Sequence, residues 1–368
     1  MNDLSQSLSQ FPRARLIQLP TPFEPMPRLE QVLGAPHLFV KRDDCTGLAL
    51  GGNKTRKLQY VVGAALKEGV DTLITTGGIQ SNHARQTAAF AARLGLRCEL
   101  VLQHVLPDPS QDYLRSGNVL LDELLGATVH IPPVKPGDAS DIVKKNLSGA
   151  ADLEAAAEAA RRAGYRPCIV PLGASTGVGA LGYAECAQEI AQQSAALGVE
   201  IDWVVLGSGS AGTQAGLVAG FKALGVRTRV LGVAVSGDTQ DVRAGLVRSI
   251  AAETARLLGW NGKITAEDVH LNGDYVGAGY GYFGEDVVEA LCTAARTEAL
   301  LTDPVYTGKA MLGLCDLSRK GFFKKTENVV FLHTGGIPGL FAYREQLLQS
   351  ATVAERAPRQ TPRAASRR

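Results

Sequence analysis

Residues 201–225 read IDWVVLGSGSAGTQAGLVAGFKALG, and the order of patterns inside them sets the architecture. The apolar run at 201–206 is short and holds two valines and an isoleucine, so it reads as a buried strand. Gly207, Ser208, Gly209, Ser210, Ala211, Gly212 and Thr213 follow as a turn. Residues 213–224 then carry the alanine- and glycine-rich pattern of a helix buried on most sides. Strand, glycine turn and helix in succession form the repeating unit of parallel sheets. Seven further runs read as short strands: HLFVKRDD (37–44), DTLITTGG (71–78), CELVLQ (98–103), ATVHIPP (127–133), RPCIVPLG (166–173), RVLGVAVSG (229–237) and NVVFLHTGG (328–336). Helical patterns such as KLQYVVGAALKEG (57–69), SNHARQTAAFAARLG (81–95), DLEAAAEAARRAG (152–164) and YAECAQEIAQQSAALG (183–198) lie between them. The expected class is α/β, with mostly parallel sheets covered by helices on both faces. Ligands in such sheets sit beyond the carboxyl ends of the strands, so the loops there are where chemistry is sought.

The chain has 368 residues, 45% of them apolar, enough for two cores. A block at 55–168 reads as a small inserted α/β domain, with 1–54 and 169–350 forming a larger one. The formal charge of +2 owes everything to the last 18 residues, which hold five arginines and one glutamate. The rest sits near −2, which argues against nucleic acid as a partner. Residues 351–368 read as a disordered basic tail. No apolar run is long enough to span a membrane, and MNDLSQSLSQFPR lacks the apolar core of a secretory signal, so a cytoplasmic protein is expected. The six cysteines and six histidines are scattered with no metal-ligand spacing, so no metal is expected.

Five loops carry candidate chemistry. In residues 207–213 successive N–H groups, a helix start and Ser/Thr hydroxyls make an anion cradle, suited to phosphate. The spacing also satisfies G-x-G-x-x-G, but a dinucleotide-dependent dehydrogenase would need an acid at the end of the next strand, where RVLGVAVSG has none. Gly51-Gly52-Asn53-Lys54 lets backbone approach a ligand and fixes a lysine amine beside it. Arg56 and Lys57, just beyond, read as surface residues. Gln80-Ser81-Asn82-His83 opens a helix after a strand and is either a second anion site or an ordinary cap. Asp303-Pro304-Val305-Tyr306-Thr307-Gly308-Lys309 and His333-Thr334-Gly335-Gly336 offer an aromatic ring and hydroxyls, or merely capped turns.

Taken in order, KRDD…GGNKTRKL, QSNHARQTAA, GSGSAGT, DPVYTGKA and HTGG resemble the fold-type-II pyridoxal 5′-phosphate enzymes, specifically the D-cysteine desulfhydrase / aminocyclopropane-carboxylate (ACC) deaminase family. The likeness runs from about Leu19 to about Tyr343. It implies a tryptophan-synthase-β-like fold of two three-layer α/β domains with twisted sheets, a homodimer, and a small amino-acid substrate. It also implies roles. Lys54 carries the cofactor and moves the substrate α-proton. Asn82 bonds the phenolic oxygen of the ring, and Ser81 with the N–H groups of Asn82 and His83 grips the substrate carboxylate. Ser208, Gly209, Ser210, Ala211, Gly212 and Thr213 hold the cofactor phosphate. Tyr306 stacks near the ring, Tyr280 lines the substrate side, and Thr334 meets the ring nitrogen. A neutral hydroxyl there makes a weaker electron sink than a carboxylate, which favours prompt loss of a β substituent. The implied reaction is α,β-elimination from a 3-substituted alanine to pyruvate and ammonia. ACC deaminases carry Glu after the stacking tyrosine and an apolar residue before the Gly-Gly pair, where this chain has Thr307 and Thr334. The expectation is therefore a D-cysteine desulfhydrase releasing hydrogen sulfide, with an L-cysteate sulfo-lyase releasing sulfite as the alternative and ACC deaminase disfavoured.

Overall fold

The computed structural model describes residues 2–34, 36–132, 150–237 and 240–354. In chain order its strands are β1 (Phe23–Pro25), β2 (His37–Arg42), β3 (Thr72–Gly78), β4 (Arg97–Gln103), β5 (Thr128–His130), β6 (Pro167–Ile169), β7 (Trp203–Ser208), β8 (Arg229–Ala234), β9 (His270–Asn272) and β10 (Asn328–His333). They form a six-stranded sheet ordered β1-β2-β10-β7-β8-β9 and a four-stranded sheet ordered β5-β4-β3-β6. Every pairing is parallel except β1 with β2. Each of the eight apolar runs read as a strand contains one. β1 and β9, which the sequence did not announce, are three-residue edge strands.

Helices cover both faces of both sheets, which is why the strand sequences are apolar without alternation. In the larger sheet Val204, Leu206, Val330 and Leu332 enter one core while Trp203, Val205, Val329 and Phe331 enter another. In the smaller sheet Leu73, Leu100 and Leu102 face one core, and Ile74 and Val101 the opposite one. The helices that matter to the site are α1 (Asn53–Lys67), α2 (Asn82–Leu94), α3 (Asn118–Leu124), α4 (Ala150–Arg162), α5 (Gly177–Ala196), α6 (Gly212–Leu224), α7 (Gln240–Leu257), α8 (Glu285–Glu298) and α9 (Thr307–Arg319). The four strands of the smaller sheet lie between Thr72 and Ile169, whereas α1 packs on α5 of the larger unit as well as on α2. Of the segment expected as a tail, Ala351–Ala354 is a helical turn tied to Glu285 by Ala351 N and Thr352 Oγ1. Residues 355–368 lie outside the described residues.

The expectation of surface positions for Arg56 and Lys57 is wrong: both are fully buried. Because α1 is wedged between α5 and α2, its first turns have no face open to solvent. Arg56 is held by Asp43 (Nε to Oδ2, 2.8 Å) and Glu189 (Nη1 to Oε1, 2.8 Å), with Lys41 Nζ donating to Glu189 Oε2 at 2.7 Å and Tyr183 Oη to Asp43 Oδ2 at 2.6 Å. Charges so deep persist only when paired this completely.

Candidate active site

The carboxyl ends of β3, β6, β7, β8 and β10, drawn from both sheets, converge on a cavity of about 280 Å³. All the residues expected at the site except Gly212 line it: Lys54, Ser81, Asn82, His83, Ser208 through Ala211, Thr213, Tyr280, Tyr306 and Thr334. Gly212 begins α6 at its edge.

Lys54 arrives on an unusual loop. Gly47, Ala49, Leu50, Gly51 and Gly52 all have positive φ. Glycine is needed at two of these, since a Cβ on Gly51 would stand 2.3 Å from Asp44 O and one on Gly52 2.8 Å from Gln86 Nε2. Buried Arg85, one turn into α2, fastens the loop by donating to the carbonyls of Ala49 and Gly51. Asn53 N donates to Thr334 O at 3.0 Å, joining the lysine loop to the end of β10. Lys54 Nζ faces the cavity and donates to Asn53 Oδ1 at 3.0 Å. Burial drives its pKa down to about 8, with Asp303 pulling the other way. An amine so shifted is a competent nucleophile near neutrality.

Ser81 caps α2, its Oγ accepting from Ala84 N at 3.1 Å, so the plain cap reading is correct in part. The Ser81 hydroxyl proton and the first-turn N–H groups of Asn82 and His83 are not engaged by the backbone, leaving donors at a positive helix end. The His83 ring points away into the core, Nε2 meeting Thr75 Oγ1 at 2.8 Å, and burial followed by the nearby Lys54 and Lys57 holds it neutral.

At the end of β7 the turn bends through Ala211 at φ 69 into α6. Ser208 Oγ donates to Gln214 Oε1 at 2.9 Å, and Thr213 Oγ1 accepts from Asn53 Nδ2 at 3.0 Å. Ser210 accepts from Ser175 Oγ at 2.8 Å, and Ser175 accepts from Lys57 Nζ at 3.1 Å. Among the described residues Lys57 has that one hydrogen bond, and burial then Lys54 push its pKa well below the ordinary lysine value.

Across the cavity the hydroxyls of Tyr280 and Tyr306 hydrogen-bond to each other, their rings edge-on at 5.8 Å. Asp303 shapes this wall: its carboxylate accepts from Val305 N and Tyr306 N at 2.9 and 2.8 Å and from Thr307 Oγ1 at 2.6 Å. Thr307 is thereby turned into its own loop, whereas Thr334 lines the cavity. His333 forms the turn rather than the site, with Nδ1 accepting from Gly335 N at 3.1 Å and Nε2 donating to Leu301 O at 2.7 Å.

A family model described as pyridoxal-phosphate dependent enzyme matches residues 14–335. This chain belongs to that family. As such an enzyme it uses pyridoxal phosphate, and the cavity fits the group: a lysine amine of lowered pKa, N–H donors at two helix starts, and behind Ser175 the buried Lys57 amine, which has no carboxylate partner among the described residues. A phosphate dianion beside the 207–213 turn would meet the N–H groups of that turn and the start of α6, and its charge would draw a proton onto the buried Lys57 amine. Lys57, Asn53, Ser175 and Asp303 are the residues that reading loops in isolation missed. Asn53 and Asp303 stood within the quoted motifs without a role, and Lys57 follows Lys54 by one helical turn, the spacing that could have found it.

This pyridoxal-phosphate enzyme is 44% identical over 342 residues to a D-cysteine desulfhydrase of Klebsiella pneumoniae (strain 342), covering 93% of this chain and 99% of that protein. A crystal structure of an ACC deaminase homologue shares 37% identity and superposes with a TM-score of 0.82, covering 95% of this chain and 99% of that one. The processed form of threonine deaminase isoform 2 from Solanum lycopersicum, at 16% identity and TM-score 0.62 over 95% of this chain and 88% of that one, shares the type-II fold alone.

Proposed function

We propose that this enzyme is a D-cysteine desulfhydrase, a carbon–sulfur lyase that converts D-cysteine to pyruvate, ammonia and hydrogen sulfide. The observation that carries the proposal is the 44% identity with the Klebsiella desulfhydrase along 93% of this chain and 99% of that protein. The threonines that set this chain apart from ACC deaminases support it: Thr334 lines the cavity, and Thr307 is held in its own loop by Asp303. The L-cysteate sulfo-lyase alternative draws no support from these relatives.

When bound, pyridoxal phosphate supplies an electron sink for charge developing at the substrate α-carbon. The chain's own residues do the rest. Lys54 Nζ would hold the cofactor through its carbonyl carbon and, when free, would take the substrate α-proton. Ser81 Oγ and the N–H groups of Asn82 and His83 grip the substrate carboxylate, which fixes the α-hydrogen relative to Nζ. Ser208 through Thr213, with Lys57 behind Ser175, would anchor the phosphate. Asn82 would donate to the phenolic oxygen, Thr334 would meet the ring nitrogen, Tyr306 would pack near the ring, and Tyr280 would bound the side where the sulfur leaves, all four lining the cavity. The proposal includes a homodimer in the cytoplasm, and six cysteines free of disulfides suit a reducing compartment.

The test is pyruvate release from D-cysteine, L-cysteine, L-cysteate and ACC in parallel, with sulfide and sulfite measured in the same samples. D-cysteine turnover with stoichiometric sulfide is expected. Dominant cysteate turnover with sulfite, or no turnover of D-cysteine, would overturn the assignment.

A further inference from the structure

We infer that Asn118, on α3, is a positioning residue that fixes which end of the Asn82 amide faces the cofactor. An asparagine side chain can present either its oxygen or its NH2 to a ligand, and only the hydrogen-bond network decides. Here the network is anchored on an atom whose role is certain. The Gln80 carbonyl oxygen can only accept, and Asn118 Nδ2 lies 3.1 Å from it. The same nitrogen lies 2.9 Å from the Asn82 amide, whose facing atom must therefore be its oxygen, Oδ1. Asn82 Nδ2 is left on the far side, at the cavity that Asn82 lines.

Asn118 has no freedom to reverse this order. It is fully buried, its own N–H donates to Gln80 Oε1 at 2.9 Å, and Gln80 Nε2 is bound to the carbonyls of Tyr113 and Ser116. Asn82 is held from behind as well, its backbone oxygen accepting from Gln86 Nε2 at 2.9 Å. The cavity is thus offered a fixed N–H donor, which suits an anionic oxygen and repels none. Resting on the assignment of Asn82 to the cofactor's phenolic oxygen, Asn118 keeps that oxygen in its ionised form.

The experiment uses the full chain loaded with pyridoxal phosphate. Two quantities are read: the pH midpoint of the visible absorbance of the lysine-bound cofactor, and the cofactor dissociation constant by fluorescence. Asn118→Asp preserves shape but sets an acceptor against the Gln80 carbonyl and Asn82 Oδ1, so Asn82 turns its NH2 away from the cavity. A midpoint shift of about one unit and a roughly tenfold weaker affinity are expected, the size of one hydrogen bond to a charged group. Asn118→Ala gives a smaller change in the same direction and serves if the aspartate variant does not fold. In an Asn82→Ala background, Asn118→Ala adds less than about twofold, because the effect runs through Asn82. If Asn82→Ala moves both quantities while folded Asn118 variants move neither, the inference is overturned. An additive loss in the double variant marks Asn118 as merely structural and overturns it too. If Asn82→Ala itself moves nothing, the assignment of Asn82 to the phenolic oxygen fails, and the inference falls with it.

Discussion

Lys54 and Lys57 occupy successive turns of one buried helix start, and both amines are desolvated, yet the physics asks opposite things of them. In the roles proposed for them, Lys54 must lose its proton to react, whereas Lys57 must hold one while a phosphate is bound. Burial serves the first directly, giving a folded pKa of about 8 against 10.5 for the free side chain. The folded state without cofactor therefore carries a penalty wherever Lys54 is charged. Between about pH 8 and 10.5 the unfolded chain still binds the proton that the folded chain has released, so stability rises with pH across that window. Relative to Lys54→Met, the cofactor-free wild type should gain on the order of 3 kcal/mol as pH climbs through it, measured by urea unfolding. A flat difference would show that Lys54 keeps its ordinary pKa. For Lys57 the same desolvation is relieved by the ligand. Lys57→Met should leave the cofactor-free chain as stable as before or more so, while cofactor affinity falls tenfold or more, about 1.4 kcal/mol at least. Weakened stability without weakened binding would refute the phosphate role.

At the level of elements, the site depends on helices that approach unusually closely. A Cβ on Gly182 of α5 would stand 2.1 Å from Arg56 O of α1, and one on Gly216 of α6 would stand 2.2 Å from Ala180 O. The Arg56 carbonyl lies two residues beyond Lys54, so separating α5 from α1 displaces the nucleophile along with the helix. Gly182→Ala should cost roughly 1–3 kcal/mol of stability through overpacking and lower kcat as well. Thermal unfolding alongside steady-state kinetics checks both, and an unchanged Tm would show that the helices can part freely. These contacts mark the boundary of what the sequence could tell. Parallel strands were legible because each is buried on both faces and so runs apolar for its whole length. β1 and β9 were not: FEP carries a proline and a glutamate, HLN is only half-buried, and three residues hold no period. The loops after strands pointed to Lys54, Ser81 and the 207–213 turn because glycines and cap residues betray backbone geometry locally. Asn118 was invisible for the converse reason, since Gln80 stands 38 residues away and nothing local encodes the meeting; Lys57 had the spacing from Lys54 as a signal, but its partner Ser175 lies 118 residues away.

Over the whole molecule, one buried charge network ties the nucleophile's helix to the larger sheet. Lys41 on β2, Asp43 just after it, Arg56 on α1 and Tyr183 and Glu189 on α5 meet with no solvent between them. The Asp43 backbone oxygen also accepts from Gly52 N at 3.0 Å, so the network reaches the loop that aims Lys54. Burial pushes the Asp43 and Glu189 carboxyls up, but Arg56 and Lys41 more than offset it and hold both below their ordinary values. A carboxyl lowered in this way stabilises the fold above its unfolded pKa, 4.5 for Glu189, and that contribution drains away as pH falls through the folded value. Glu189→Gln leaves Lys41 and Arg56 buried with the Asp43 carboxylate alone to balance both in this network and should cost about 3–5 kcal/mol at pH 7. The gap between wild type and variant should then narrow below pH 4.5, where the unfolded chain takes up the proton that the folded glutamate still resists. Lys41→Met combined with Glu189→Met should recover part of the loss, because a matched apolar pair asks no desolvation of either partner. Pyridoxal-phosphate retention belongs in the same measurement. If the network aims Lys54 as well as holding the fold, Glu189→Gln sheds cofactor at temperatures where its circular dichroism is still native, whereas a purely structural network loses cofactor and fold together.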